Sequence, residues 1–210
     1  MNLPDPPILI VTDRMQSADP LEARAEALFR GGCRWLSLRE KDWPPERRIA
    51  TLRNLIAAAA PFGARIGVHG DVEVAALCGC ALHLPAGADA AAARERLGTG
   101  SLIGQSCHRA DEVAEAARKG ADYVTLGPVF ASASKPGYEP LAAAHLEPVA
   151  GRAGIPVLAL GGMSAAALPK LDRVRFAGAA IMGEAMRTPS PEAWFASILS
   201  CWKNTIISDD

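Results

Sequence analysis

The chain has few aromatic residues, 5% of its 210, and no surplus of either charge, since 22 Lys+Arg stand against 23 Asp+Glu for a formal charge of −1. A broad basic face able to neutralise a run of phosphates is therefore missing, which argues against nucleic acid and anionic membrane surfaces as partners. No stretch approaches the ~20 apolar residues that span a bilayer. The opening MNLPDPPILIVTDR has no basic segment ahead of its short apolar run, so a soluble, cytoplasmic protein is expected. Five cysteines, at 33, 78, 80, 107 and 201, are an odd count without the dense spacing of a disulfide-stapled fold. They read as reduced thiols. Cys78-Gly79-Cys80 matches none of the common zinc spacings, and small buried thiols are the simpler reading.

What the chain does have is a regular alternation of short apolar runs and longer alanine-rich amphipathic stretches, with no linker or shift in composition. That implies one domain over residues 1–210, a length at which a single core buries roughly 70% of the surface the unfolded chain exposes. Candidate strands are Ile8–Thr12, Trp35–Arg39, Arg65–Val68, Ala81–Leu84, Leu102–Gln105, Tyr123–Leu126, Pro156–Leu160 and Arg175–Ile181. Candidate helices are Leu21–Phe29, Glu46–Ala60, Val72–Leu77, Ala90–Leu97, Ala110–Lys119, Leu141–Ala150, Ala165–Leu171 and Pro191–Trp202. Gly31 or Gly32, Gly79 and Gly120 stand where a left-handed helix end is wanted, and Ser164 and Ser190 where a cap is. Eight strand-then-helix units predict an α/β fold, a single-domain (β/α)8 TIM barrel, with a doubly wound open sheet as the alternative.

In such a barrel the chemistry belongs at the C-terminal ends of the strands. Arg39 and Lys41 alternate with Leu38 and Glu40, so both cations face one way and call for an anion, unless they merely pair with Glu40 or Asp42 at the surface. The loop Gly127–Gly137 carries Ser132, Ser134 and Lys135, donors suited to phosphate, although polar turns are common. Gly161-Gly162 and Gly183 end the last two strands, where barrels of this kind let a phosphate approach backbone N–H groups. His108, just past a strand end and ahead of a helix, is the first candidate for an acid/base near neutral pH, and His69 is the second. His83, inside a strand, reads as a satisfied core group, and His145 as a surface residue.

Taken together, Leu38-Arg39-Glu40-Lys41-Asp42, Ile103-Gly104-Gln105-Ser106-Cys107-His108, the run Gly120–Phe130, Ser132-Ala133-Ser134-Lys135 and the run Ile155–Met163 resemble the thiamine phosphate synthase/TenI family, in order and over nearly the whole chain. The resemblance implies a TIM barrel, usually a homodimer, that handles the phosphorylated thiazole of thiamine biosynthesis. Two chemistries are implied. A synthase joins hydroxymethylpyrimidine pyrophosphate to thiazole phosphate with Mg²⁺; a TenI-type tautomerase moves a proton on thiazole carboxylate phosphate without metal.

For the synthase, the resemblance carries pyrophosphate contacts to Arg39, Lys41, Ser106 and Lys135, with Ser132 and Ser134 where threonines are usual. The metal carboxylates do not carry over: His69-Gly70 stands where Asn-Asp is usual, with Asp71 one place late, and Ala88 replaces the second aspartate, with Asp89 adjacent. Ser37 replaces a glutamine. For the tautomerase, Gly70, the turn Leu84-Pro85-Ala86-Gly87 and His108 match, while Lys41 and Glu184 depart from that pattern. The expectation is a TenI-like tautomerase with His108 as the acid/base, no cofactor, and a phosphate held by Arg39, Lys41, His69, Ser106, Ser132, Ser134, Lys135, Gly161, Gly162 and Gly183. Alternatives are an Mg²⁺-dependent synthase using Asp71 or Asp89, and a non-catalytic regulatory paralogue that only binds thiazole or thiamine phosphate.

Overall fold

The computed structural model describes residues 2–131, 154–171 and 176–206. Eight parallel strands close on themselves in sequence order: β1 (Ile8–Val11), β2 (Trp35–Leu38), β3 (Arg65–His69), β4 (Ala81–Leu84), β5 (Ile103–Cys107), β6 (Tyr123–Leu126), β7 (Val157–Leu160) and β8 (Gly178–Ile181), with β8 pairing back onto β1. The fold is a TIM barrel, and the open sheet is set aside by the β1–β8 ladder. Around it run α1 (Leu21–Arg30), α2 (Pro45–Ala59), α3 (Val72–Cys78), α4 (Ala90–Leu97), α5 (Ala110–Arg118), α6 (Gly183–Arg187) and α7 (Pro191–Ile206).

Period-two alternation sorts each strand into two faces. Ile8, Ile10, Leu36, Leu38, Val68, Leu82, Leu84, Ile103, Val124, Leu126, Val157, Ala159, Ala179 and Ile181 pack outward under the helices. Leu9, Val11, Trp35, Ala81, Tyr123, Leu158 and Ala180 fill the inside of the barrel. Further along the inward face come Arg39, His69, His83, Ser106, Thr125, Leu160 and Met182, all of which line an open cavity at the C-terminal end. An apolar floor therefore carries a polar upper layer, and the strand register alone brings these side chains together.

Two sequence expectations change. Ala165–Leu171 is not an α-helix: Ser164 caps a turn through its hydroxyl, 3.1 Å from Ala167 N, and only Leu168–Lys170 forms a short 3₁₀ turn. Pro169 sits inside the expected helix, where it removes an amide donor and clashes with the preceding turn. The last strand starts at Gly178, with Phe176 and Ala177 before it and the expected start, Arg175, outside the described residues; the short α6 follows it unforeseen. The expected helix Leu141–Ala150, together with Ser132, Ser134, Lys135 and His145, lies outside the described residues. Strands β3 and β5 run on to His69 and Cys107, which makes His69 and Ser106 strand residues with fixed directions. Gly32, Gly79 and Gly120 take positive φ where helix ends were expected. None of the five cysteines forms a disulfide.

Candidate active site

The cavity at the C-terminal end holds about 480 Å³ and is lined by Arg39, Lys41, His69, His83, Ser106, Thr125, His108, Gly161, Gly162, Gly183 and Glu184 among others. Every described residue of the expected site thus reaches one cavity.

The acidic neighbours of the two cations past the end of β2 both bind Arg14. Glu40 is 3% exposed and accepts from Thr12 Oγ1 at 2.8 Å, Arg14 N at 3.0 Å and Arg14 Nη1 at 2.9 Å. Asp42 pairs with Arg14 as well, at 2.5 Å and 2.7 Å. Arg14 thus bridges both carboxylates, while Arg39 and Lys41 line the cavity. The Thr12 hydroxyl also accepts from Arg39 N at 2.8 Å, fixing the end of β2.

On the far side the loops after β7 and β8 meet. Gly161 and Gly162 have φ of +94° and +64°, a left-handed pair that L side chains rarely adopt. A Cβ at Gly161 would lie 2.6 Å from Pro128 Cα, and one at Gly162 would collide with the Ala131 carbonyl oxygen. The glycines let this turn fold tightly against the β6 loop, as backbone amides need when they are to face an anion. Glu184 stitches the two loops together by accepting from Ala165 N at 3.0 Å.

Arg187 is a site residue that the sequence reading missed. Its guanidinium lines the cavity, occupies the room a side chain on Gly183 would need, and donates to Gln16 Oε1. It became visible only through α6, which places it one turn beyond Gly183.

His108 Nδ1 lies 2.8 Å from the carbonyl oxygen of Gly127, and its backbone N–H donates to Glu112 at 2.7 Å. A carbonyl only accepts, so Nδ1 is the nitrogen that donates, which leaves Nε2 as the one that can exchange a proton. His69 differs. Burial first, then the charges of Arg39 and Lys41, hold its pKa down to about 4, which keeps it neutral and removes it as a proton donor near neutral pH. Its buried Nδ1 has no hydrogen-bond partner among the described residues. His83 is 3% exposed with both ring nitrogens bonded, as a core group, yet its edge also borders the cavity.

The donor set does not suit Mg²⁺, which wants several hard oxygens in octahedral array. Asp71 caps α3 through Val74 N at 3.0 Å and pairs with Arg48 at 2.9 Å. Asp89 caps α4 through Ala91 N and Ala92 N at 3.0 and 3.3 Å. Neither lines the cavity; Glu184 is the one carboxylate side chain that does among the described residues, where no group of three or more His, Cys, Asp or Glu is placed to share an ion.

The TMP-TENI family, described as thiamine monophosphate synthase, matches residues 8–185. The chain belongs to this family. A Geobacter sulfurreducens protein provisionally named as a thiamine-phosphate synthase is 36% identical over 197 residues, covering 92% of each chain. The thiamine-phosphate synthase of Chlorobium luteolum is 32% identical over 211 residues, covering 98% of this chain and 97% of that one. The thiamine phosphate pyrophosphorylase structure from Pyrococcus furiosus superimposes with a TM-score of 0.84 at 21% identity over 95% of this chain and 96% of that one, a likeness of fold. Membership places the chain among enzymes of the thiamine pathway. No helix among the described residues is long and apolar enough to cross a membrane.

Proposed function

We propose that the chain binds a phosphorylated thiazole and interconverts its tautomers by proton transfer at His108. The observation that carries this reading is the 2.8 Å contact from His108 Nδ1 to the Gly127 carbonyl, which leaves Nε2 as the basic atom on a ring that borders the cavity. His108 takes a proton from one carbon of the substrate while the electron pair moves through the ring system. It then returns the proton at a second position, so the imidazole ends as it began. Arg39, Lys41 and Arg187 neutralise the substrate's anionic groups, and the amides at Gly161, Gly162 and Gly183 seat its phosphate. Ser132, Ser134 and Lys135 complete that seat in this reading.

The names of the relatives favour a second reading, thiamine-phosphate synthase, which joins a pyrimidine pyrophosphate to the thiazole phosphate. In that reaction Mg²⁺ would neutralise the departing pyrophosphate. Against it stands the use of both nearby aspartates as helix caps. The reading retains Arg39, Lys41 and Ser106 as pyrophosphate contacts.

One experiment separates them. The purified protein is incubated with thiazole carboxylate phosphate, and in parallel with the two synthase substrates plus Mg²⁺. The proton-transfer reading expects tautomer conversion that His108→Ala abolishes. Full conversion by His108→Ala removes it, coupling to thiamine phosphate replaces it with the synthase, and tight binding without turnover points to the regulatory paralogue.

A further inference from the structure

From the inner apolar layer up to the cavity wall runs a hydrogen-bonded chain that the proton transfer does not use. His83 Nδ1 is 3.0 Å from the Tyr123 hydroxyl, and its Nε2 is 3.0 Å from Ser106 Oγ, with Thr125 Oγ1 at 3.4 Å from the same nitrogen. Tyr123 is 1% exposed and stands edge-on to Trp35 at 4.7 Å between ring centroids. Its ring fills the space over Gly104, where any side chain would collide with it. Glycine on β5 thus exists to admit the phenol, and the phenol exists with its oxygen aimed up at His83.

Burial pushes the Tyr123 phenol up and the His83 imidazole down. Both are neutral, and a neutral imidazole has one N–H to place. If it sits on Nδ1, it donates to Tyr123, and the buried phenol O–H is left with no acceptor among the described residues. Such an orphan donor costs about 1–3 kcal/mol. If it sits on Nε2, Tyr123 donates to Nδ1 and Nε2–H donates to Ser106 Oγ, so the phenol and both ring nitrogens are satisfied. The second arrangement leaves the Ser106 hydroxyl proton pointing away from His83. It also rules out Ser106 as a base-activated nucleophile, which would need the Nε2 lone pair.

We propose that Tyr123 and His83 are positioning residues that hold Ser106 as a hydrogen-bond donor toward an anionic oxygen, carboxylate or phosphate, of the bound ligand. The proposal rests on the cavity being the ligand site and is independent of which reaction occurs there. A serine hydroxyl otherwise rotates freely between donor and acceptor roles; the relay removes one of them.

The test needs no turnover. Nitrogen-15 NMR of histidine-labelled protein should show His83 as the Nε2–H tautomer; an Nδ1–H tautomer overturns the proposal. Calorimetry with inorganic pyrophosphate as the probe should show affinity about fivefold to tenfold weaker in Ser106→Ala, the span expected for one neutral hydrogen bond. Tyr123→Phe should show the same loss, and the double variant no more than either single one. His83→Gln, whose amide can accept from Tyr123 and donate to Ser106, should stay within twofold of wild type and serves where Tyr123→Phe folds poorly. Wild-type affinity in Ser106→Ala, additive losses in the double variant, a His83→Gln loss as large as that of Ser106→Ala, or no pyrophosphate binding by the wild type would each overturn it.

Discussion

His108 donates through Nδ1 to the carbonyl oxygen of Gly127 at 2.8 Å, so the end of β6 decides which nitrogen of a residue beyond β5 is basic. His108→Gln keeps a donor for that carbonyl and loses the base. It should therefore preserve the melting temperature while kcat for tautomer conversion falls by about 100-fold or more. Equal turnover by His108→Gln and wild type, followed by NMR of the thiazole, would show that the proton moves elsewhere.

Asp71 and Asp89 have structural work. Asp89→Ala should cost about 1 kcal/mol of stability, which lowers the melting temperature by about 2–4 °C in a chain of this size. Asp71→Ala should cost more, since it also strands Arg48. Both variants should keep the wild-type kcat at a temperature where they remain folded. A large loss of turnover with an unchanged melt would mean that these carboxylates serve the reaction after all.

Gly162 has φ +64°, and a Cβ there would strike the Ala131 backbone oxygen. Gly162→Ala should cost on the order of 1–3 kcal/mol from the strained backbone. It should also weaken thiazole phosphate binding by displacing the amides of the turn, to be seen by calorimetry as a loss larger than that for the unphosphorylated alcohol.

The barrel should lose stability in acid for a stated reason. In the fold, burial and the charges of Arg39 and Lys41 hold His69 down to about 4, and burial pushes its neighbour His83 down as well. Unfolded, both imidazoles titrate near 6.5. Between those values the unfolded chain binds more protons, so stability rises with pH across roughly 4 to 6.5 and is flat above it with respect to these groups. For His69 alone the loss on acidification is on the order of 2–3 kcal/mol. Urea unfolding at pH 7.5 and pH 5 should show it, and His69→Gln should shrink the difference.

Much of this arrangement is legible in the sequence because a barrel strand has a period of two. Once Arg39 and Lys41, or Ser106 and His108, are placed near strand ends, alternation decides which of them face inward. The tight Gly161-Gly162 turn is legible for the same local reason. What is not legible depends on neighbours far apart in the chain. That Arg14 bridges Glu40 and Asp42 requires the β1–β2 register. The Tyr123–His83–Ser106 chain crosses three strands, and only Gly104 hints at the ring it admits. Arg187 depends on a five-residue helix too short to leave a periodic signal. Ala165–Leu171 was legible after all, since Pro169 marks the interruption.

The central claim is that this cavity moves a proton with an imidazole and, among the described residues, offers no carboxylate pair for a divalent cation. The direct measurement is conversion of thiazole carboxylate phosphate by the purified protein with excess EDTA and with Mg²⁺. Equal rates in the two, lost in His108→Ala, are the predicted result. No tautomer conversion, together with Mg²⁺-dependent formation of thiamine phosphate that EDTA abolishes, would contradict the account.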